Sequence, residues 1–216
     1  MVGRACLNRL LAEPLYTNVV ALVRRPLDVS HPKLRTLIAD IEHPDPALSV
    51  AADDAFCALG TTIARAGSQE AFRALDYNGV LAVADLALRG GVAQFIVVSS
   101  AGADPASGNF YLRVKGQTEA ALAERGFRAL HVFRPGLLLG ARAETRPAEA
   151  LFQKLAPALN LGLVGPLRRY RAIQAARVGA AMVGAAAENR SGLRVLHYDE
   201  IMRLSARSSA GSSASG

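Results

Sequence analysis

The chain has no tryptophan, two cysteines in 216 residues, and aromatic side chains at only 6%. Cys6 and Cys57 are too few for a disulfide framework, so we expect a reducing compartment and read the protein as soluble and cytoplasmic. Lysine is scarce too: Lys33, Lys115 and Lys154 stand alone among 25 basic residues, the rest being arginine. Spanning a bilayer takes roughly 20 uninterrupted apolar residues. The longest apolar stretch, Gly79 to Ser99, is broken by Asp85, Arg89 and Gln94. No segment joins a basic start, an apolar run and a cleavage site, so we expect neither a secretory leader nor a membrane partner. His31, His43, His131 and His197 stand singly, without metal-ligand spacing, so no metal is expected.

Apolar residues make up 51% and charged residues 20%, which excludes a disordered chain and fits one domain with a sizeable core. The net charge of +7 could suit nucleic acid through counterion release. The arginines, however, are scattered from Arg4 to Arg207, and nothing resembles a zinc finger, a stacking aromatic module or a basic arm. We expect no nucleic-acid partner.

Apolar runs alternate with helical stretches, which predicts an α/β fold with a parallel sheet. Val19 to Val23 reads as a strand ending at Arg24-Arg25-Pro26, Leu34 to Ile41 as a second, and Ala55 to Leu59 as a third, ending at Gly60-Thr61-Thr62. Ser68 to Arg89 reads as one long helix with Phe72, Leu75, Val80, Val83 and Leu86 inside, ended by Gly90-Gly91. Phe95 to Val98 is a strand feeding Ser99-Ser100. Tyr111 to Glu124 is a helix, and Ala129 to Phe133 a strand that ends at Arg134-Pro135-Gly136. Helices follow around Ala148 to Leu159 and Ile173 to Ala187, then a short strand near Val195. Residues 1–204 form the domain, and the Ser/Ala/Gly-rich tail 205–216 reads as disordered.

In a doubly wound fold the first strand runs into a glycine turn that lets the backbone approach a pyrophosphate. Here Met1-Val2-Gly3-Arg4 leads directly into a helical segment, Ala5 to Glu13. Gly3 fits the third glycine of such a turn, where a side chain would block helix–strand packing. On this reading the chain starts inside the phosphate loop of a longer reading frame, without its central first strand. Unsatisfied buried backbone groups cost roughly 1–3 kcal/mol each, against a domain stability of about 5–15 kcal/mol.

Tyr111 and Lys115 are spaced i, i+4, hence on one helical face. Ser99 and Ser100 precede them at a strand's carboxyl end, where open α/β sheets bind ligands. A phenol beside an ammonium is favoured as phenolate, which suits it to proton transfer, and a serine hydroxyl can hold the substrate oxygen. Tyr-x-x-x-Lys alone arises often by chance; its place after FIVVSS gives it weight. Arg24 and Arg25, where NAD enzymes carry an acidic residue, suit the 2′-phosphate of NADP, though two solvated arginines ending a strand would look the same.

The run DDAFCALGTTIARAG, then VSSAGADPASGNFYLRVKGQTEAAL, then FRPGLLLGARAETRPAE resembles the atypical short-chain dehydrogenase/reductases related to the Tat-interacting oxidoreductase. Their bacterial members are often labelled NAD(P)-binding or sugar-epimerase-like. The resemblance covers Gly3 to Ala187 and is densest between Asp54 and Glu149. It implies a Rossmann-like doubly wound sheet binding NADP(H), with Tyr111 as proton donor and acceptor. Lys115 would hold the nicotinamide ribose, Arg24 and Arg25 the 2′-phosphate, and Leu59 and Gly60 would line the adenine–ribose path. Leu138 and Arg146 match further cofactor positions. The amino end departs from the pattern, since the glycine loop is present only as Gly3.

The expected activity is NADP-dependent oxidation or reduction of a small alcohol or carbonyl substrate. A sugar-nucleotide epimerase would use the same residues, an NADP(H)-sensing regulator would bind without turnover, and an incomplete product would have no activity. Related folds pair helices across a homodimer, and no apolar stripe here marks that face. Cys57 reads as a small core hydrophobe and Asp53-Asp54 as a loop former. Asp40 reads as either a turn or an adenine-side residue. Arg134-Pro135-Gly136 reads as a turn, either beside the nicotinamide or purely structural.

Overall fold

Runs of β-branched and aromatic residues become the strands, and the helices between them carry apolar faces of helical period. The computed structural model describes residues 1–41, 45, 47–139 and 162–212. Helix α1 (Val2–Ala12) leads to β1 (Val19–Val23), β2 (Leu34–Ile38) and β3 (Asp54–Cys57). Short helices α2 (Ile63–Ala66) and α3 (Gln69–Arg73) follow, then a π-helical turn, Ala74–Gly79, that runs into α4 (Val80–Arg89). Next come β4 (Gln94–Val98), α5 (Phe110–Ala123), β5 (Ala129–Phe133), β6 (Leu138–Leu139) and β7 (Ile173–Gln174). Helix α6 (Ala175–Ala187), β8 (Gly192–Leu196) and α7 (Tyr198–Ser212) complete the described elements.

All described strand pairs are parallel. The main sheet has the order β3-β4-β5-β8, while β1 pairs with β2 and β6 with β7 in separate ladders. β5 is buried at every position, as expected for a parallel strand covered on both faces. The period of two divides the core. Ile96 and Phe133 point to the layer of α1, α6 and α7, where Cys6, Leu10, Met182, Ile201 and Leu204 pack. Phe95, Val97, Leu130 and Val132 point to the layer of α4 and α5, with Val80, Ala84 and Leu122. This is an α/β architecture with a parallel sheet flanked by helices.

The strands at Val19–Val23 and Ala129–Phe133 fall where the sequence places them. β2 stops at Ile38 rather than Ile41, and β3 spans Asp54–Cys57 rather than Ala55 to Leu59. The helix expected over Ser68 to Arg89 contains a π turn at Ala74–Gly79, which re-phases its side chains. Gly91, at φ +80°, closes it. The disorder expected over 205–216 is corrected for Ser205–Ser212, where α7 continues with Ile201, Leu204 and Ser205 buried, and 213–216 lie outside the described residues. Composition misled there, because alanine and serine can extend a helix already anchored by Ile201 and Leu204. The helix expected around Ala148 to Leu159 lies outside the described residues. Among the described residues no helix is long and apolar enough to cross a membrane.

Candidate active site

Asn109 starts α5 by accepting a hydrogen bond from the Leu112 amide at 3.2 Å, which sets the phase of the helix. Tyr111, Lys115 and Glu119 then share one face. Lys115 is buried, with Nζ 2.7 Å from Oδ1 of Asp76, whose side chain is fully enclosed in the π turn. The second Asp76 oxygen accepts the Thr61 amide at 2.8 Å, and Thr118 Oγ1 donates to the Asp76 carbonyl at 3.0 Å. A Cβ on Gly60 would lie 3.1 Å from Asp76 Oδ1 and 3.4 Å from Lys115 Nζ. The loop leaving β3 therefore passes directly over the ion pair, and a bare glycine makes room for it.

A second network lies at the carboxyl ends of β4 and β5. The Ser99 hydroxyl donates to the Glu119 carboxylate, and Arg134 brackets the same carboxylate, its Nε 3.0 Å from both oxygens. Ser99 is thus committed to a charged partner, whereas the half-buried Ser100 hydroxyl makes only a long 3.4 Å contact with the Ala101 carbonyl. Between the networks lies a cavity of about 10 Å³, lined by Asp76, Lys115, Ser99, Thr118 and Glu119. That is close to the space of one water molecule. Tyr111 does not line this cavity; its ring packs on Phe72 with centroids 5.4 Å apart.

A much larger groove, about 920 Å³, opens between β1 and β3. It brings together Gly3, Arg24 and Leu59 of the expected cofactor residues, and adds Arg4. Arg25 is exposed beside it without lining it, and Gly60 links Leu59 to Lys115. Leu138 packs against the α1–α6–α7 core away from the groove, and Arg146 lies outside the described residues. The expectation for Gly3 is corrected: a Cβ there would meet Ala58 Cβ at 3.5 Å, an ordinary contact, so packing does not demand glycine. The residues present fit the phosphates of a dinucleotide. The first turn of α1 has no side-chain cap over its free amides, and Arg4 and Arg24 stand in the same groove.

Sequence reasoning missed Asp76 and Glu119. Each left a signal: Asp76 falls at i+4 from Phe72 and i−4 from Val80, an acid on an apolar face, and Glu119 repeats the Tyr111–Lys115 interval. Asp54 opens β3 rather than forming a loop, accepting from Tyr16 at 2.6 Å and Gln94 at 2.8 Å. Burial raises the Cys57 thiol to about 11 and the Cys6 thiol to about 12, so both behave as core hydrophobes.

A family model described as NAD(P)H-binding matches residues 1–150. The rat protein HTATIP2 is 39% identical over 158 residues, covering 70% of this chain and 64% of the rat protein, just under two thirds of its length. FMP52 of Coccidioides immitis, named mitochondrial, is 30% identical over 226 residues, covering 94% of this chain and 92% of its own. Among solved structures, a UDP-galactose 4-epimerase aligns with a TM-score of 0.67 at 16% identity, over 92% of this chain and 73% of that one. The human epimerase family protein SDR39U1 with NADPH aligns with a TM-score of 0.62 at 16% identity, over 91% and 70%. At such identities the likeness is one of fold, and that fold is Rossmann-like. With the family model matching residues 1–150, the chain belongs to the NAD(P)H-binding family.

Proposed function

We propose that the protein is an NADP(H)-dependent oxidoreductase of the short-chain dehydrogenase/reductase type, acting on a small carbonyl or alcohol. The observation that carries this reading is the α5 face. There Lys115 is pinned by Asp76 beneath Gly60, next to the strand end that lines the groove, and Tyr111 stands one turn earlier. NADP(H), when bound, supplies or accepts the hydride. Arg24 and Arg25 hold its 2′-phosphate, Arg4 and the α1 amides its pyrophosphate, and Leu59 and Gly60 line the adenine–ribose path. Leu138 and Arg146 are assigned to cofactor contact by family likeness alone. Lys115 orients the nicotinamide ribose. Tyr111 gives its hydroxyl proton to the substrate oxygen in reduction and recovers it in oxidation. Ser100 steadies that oxygen, since Ser99 is spent on Glu119. We place the chain in a reducing compartment, the cytoplasm, because two cysteines are too few for a disulfide framework.

Two rival readings share the site. An NADP(H) sensor would bind at the same site without turnover, and an epimerase would use the same tyrosine and lysine. Tyr111→Phe separates catalysis from sensing: turnover should fall about 10²–10⁴-fold while NADPH affinity stays nearly unchanged. NADPH binding by the parent chain with no turnover on aldehydes, ketones or UDP-sugars would establish the sensor instead. Replacing Arg24 and Arg25 together by alanine should weaken NADPH far more than NADH, and equal losses would remove the 2′-phosphate assignment.

A further inference from the structure

We propose that Arg169 and Tyr170 form the corner of the site that takes a carboxylate of the substrate, which makes that substrate a small oxo acid or the matching hydroxy acid. The inference rests on the oxidoreductase reading above and names the class of molecule on which it acts. Residues Gly165–Tyr170 form a 3-10 turn that leads into β7. A Cβ on Gly136, just past β5, would lie 2.5 Å from the Arg171 carbonyl oxygen and 2.6 Å from that of Tyr170. The backbone at the end of the turn therefore lies flat against the carboxyl end of β5. The Tyr170 side chain reaches across to the loop that leaves β4, where its hydroxyl oxygen and Cε1 each lie 3.6 Å from the place of a Cβ on Gly102. Leu112 of α5, next to Tyr111, meets the same point at 3.5 Å. Gly102 has φ +83°, which suits glycine, and stands two residues past Ser100. Their Cα atoms are thus within about 7.6 Å. Tyr170, the serine loop and the first turn of α5 meet where the substrate oxygen is held.

The charges around this corner leave one cation over. Glu119 is taken by Ser99 and Arg134, Asp199 by Arg168 at 2.8 Å, and Glu200 by the His197 amide at 3.1 Å. Arg113 donates to the Ser107 and Gly108 carbonyls at 2.7 and 3.2 Å, and Arg171 to the Leu163 carbonyl at 2.9 Å. Arg169 makes no hydrogen bond or ion pair with any described residue; its guanidinium carbon lies 5.0 Å from the centre of the Tyr170 ring. The Tyr170 hydroxyl bonds to no described residue either. His197, just past β8, has its pKa lowered first by desolvation and next by Arg134, with Arg169 acting the same way against Glu200 and Glu119. Arg169 therefore faces the same space as the arginine that holds Glu119. A guanidinium against a ring keeps the edge of its planar fork free, which matches a carboxylate bidentately, and the phenol adds a donor. A phosphate dianion calls for more positive charge than this single spare cation supplies.

The test follows NADPH oxidation by the full chain with ω-oxo acids of four to six carbons, each against its methyl ester. The acid should exceed its ester about 10–100-fold in kcat/KM, mostly through KM, as a charge-assisted pair allows. Arg169→Met should abolish that ratio, Arg169→Lys should restore part of it, and Tyr170→Phe should lower it severalfold. Arg168→Met removes the same charge from the same turn and should preserve the ratio. A second readout needs no turnover. Glutarate at about ten times its Kd and matched ionic strength should raise the unfolding temperature of the parent by about 3–6 °C, and that of Arg169→Met not at all. Inactivity towards every acid and ester with this glutarate difference intact would end the oxidoreductase reading and support the corner as an acid-binding site. Equal rates for acid and ester, equal effects of Arg168→Met and Arg169→Met, or the same glutarate response in parent and Arg169→Met would overturn the corner.

Discussion

Asp76 and Lys115 illustrate how a buried charge survives in this protein: each is matched by the other at 2.7 Å, and the carboxylate also takes the Thr61 amide. Removing one partner leaves a bare charge in an apolar setting, which costs about 3–5 kcal/mol. Asp76→Asn should therefore lower unfolding stability by that order in urea titration. The double change Asp76→Leu with Lys115→Met should recover most of the loss, and an additive loss would contradict the pairing. His131, fully buried in β5, has its pKa lowered from 6.5, first by desolvation and then by the charge of Arg194. The unfolded chain consequently binds the proton at higher pH than the folded one. Stability is complete above pH 6.5 and falls as pH drops through 6.5 towards the lowered folded value. Unfolding titrations of the parent and of His131→Leu between pH 8 and 5 should show a smaller loss in the variant.

The helix crossings show what the elements demand of one another. A Cβ on Gly179 of α6 would lie 2.6 Å from the Cys6 amide nitrogen and 2.8 Å from the Ala5 carbonyl carbon, so α1 and α6 touch backbone to backbone. Gly179→Ala should cost about 1–3 kcal/mol by overpacking. Because α1 carries Gly3 and Arg4 to the groove, NADPH affinity should fall with it. Gly3→Ala, with its 3.5 Å contact, should leave stability nearly unchanged and serves as the comparison. Thermal unfolding and NADPH titration of both variants check this pair. At this level the sequence was readable where one period dominates, as in β5 and α5. It was misleading where periods shift, as at the π turn of Ala74–Gly79, or where small residues conceal a helix, as beyond Ser205.

Across the molecule stability is distributed unevenly. β4 and β5 lie inside a four-stranded sheet with helices on both faces, while β1 and β2 form a two-stranded ladder that is mostly half-buried or exposed. Two strands alone are marginal, so amide exchange at Val19–Val23 should be much faster than at Ala129–Phe133. Equal rates would contradict the division of the sheet. The α/β class, the main strands, the tyrosine–lysine interval and the paired arginines were all legible along the chain, because each depends on neighbours a few positions apart. The partners of Lys115 and Ser99, and the separation of β1 from β3, were decided only by folding. Asp76 lies 39 positions from Lys115, Glu119 lies 20 from Ser99, and Arg134 lies 15 from the Glu119 it brackets. Whether two strand edges meet depends on what lies between them in space, and no local pattern carries that.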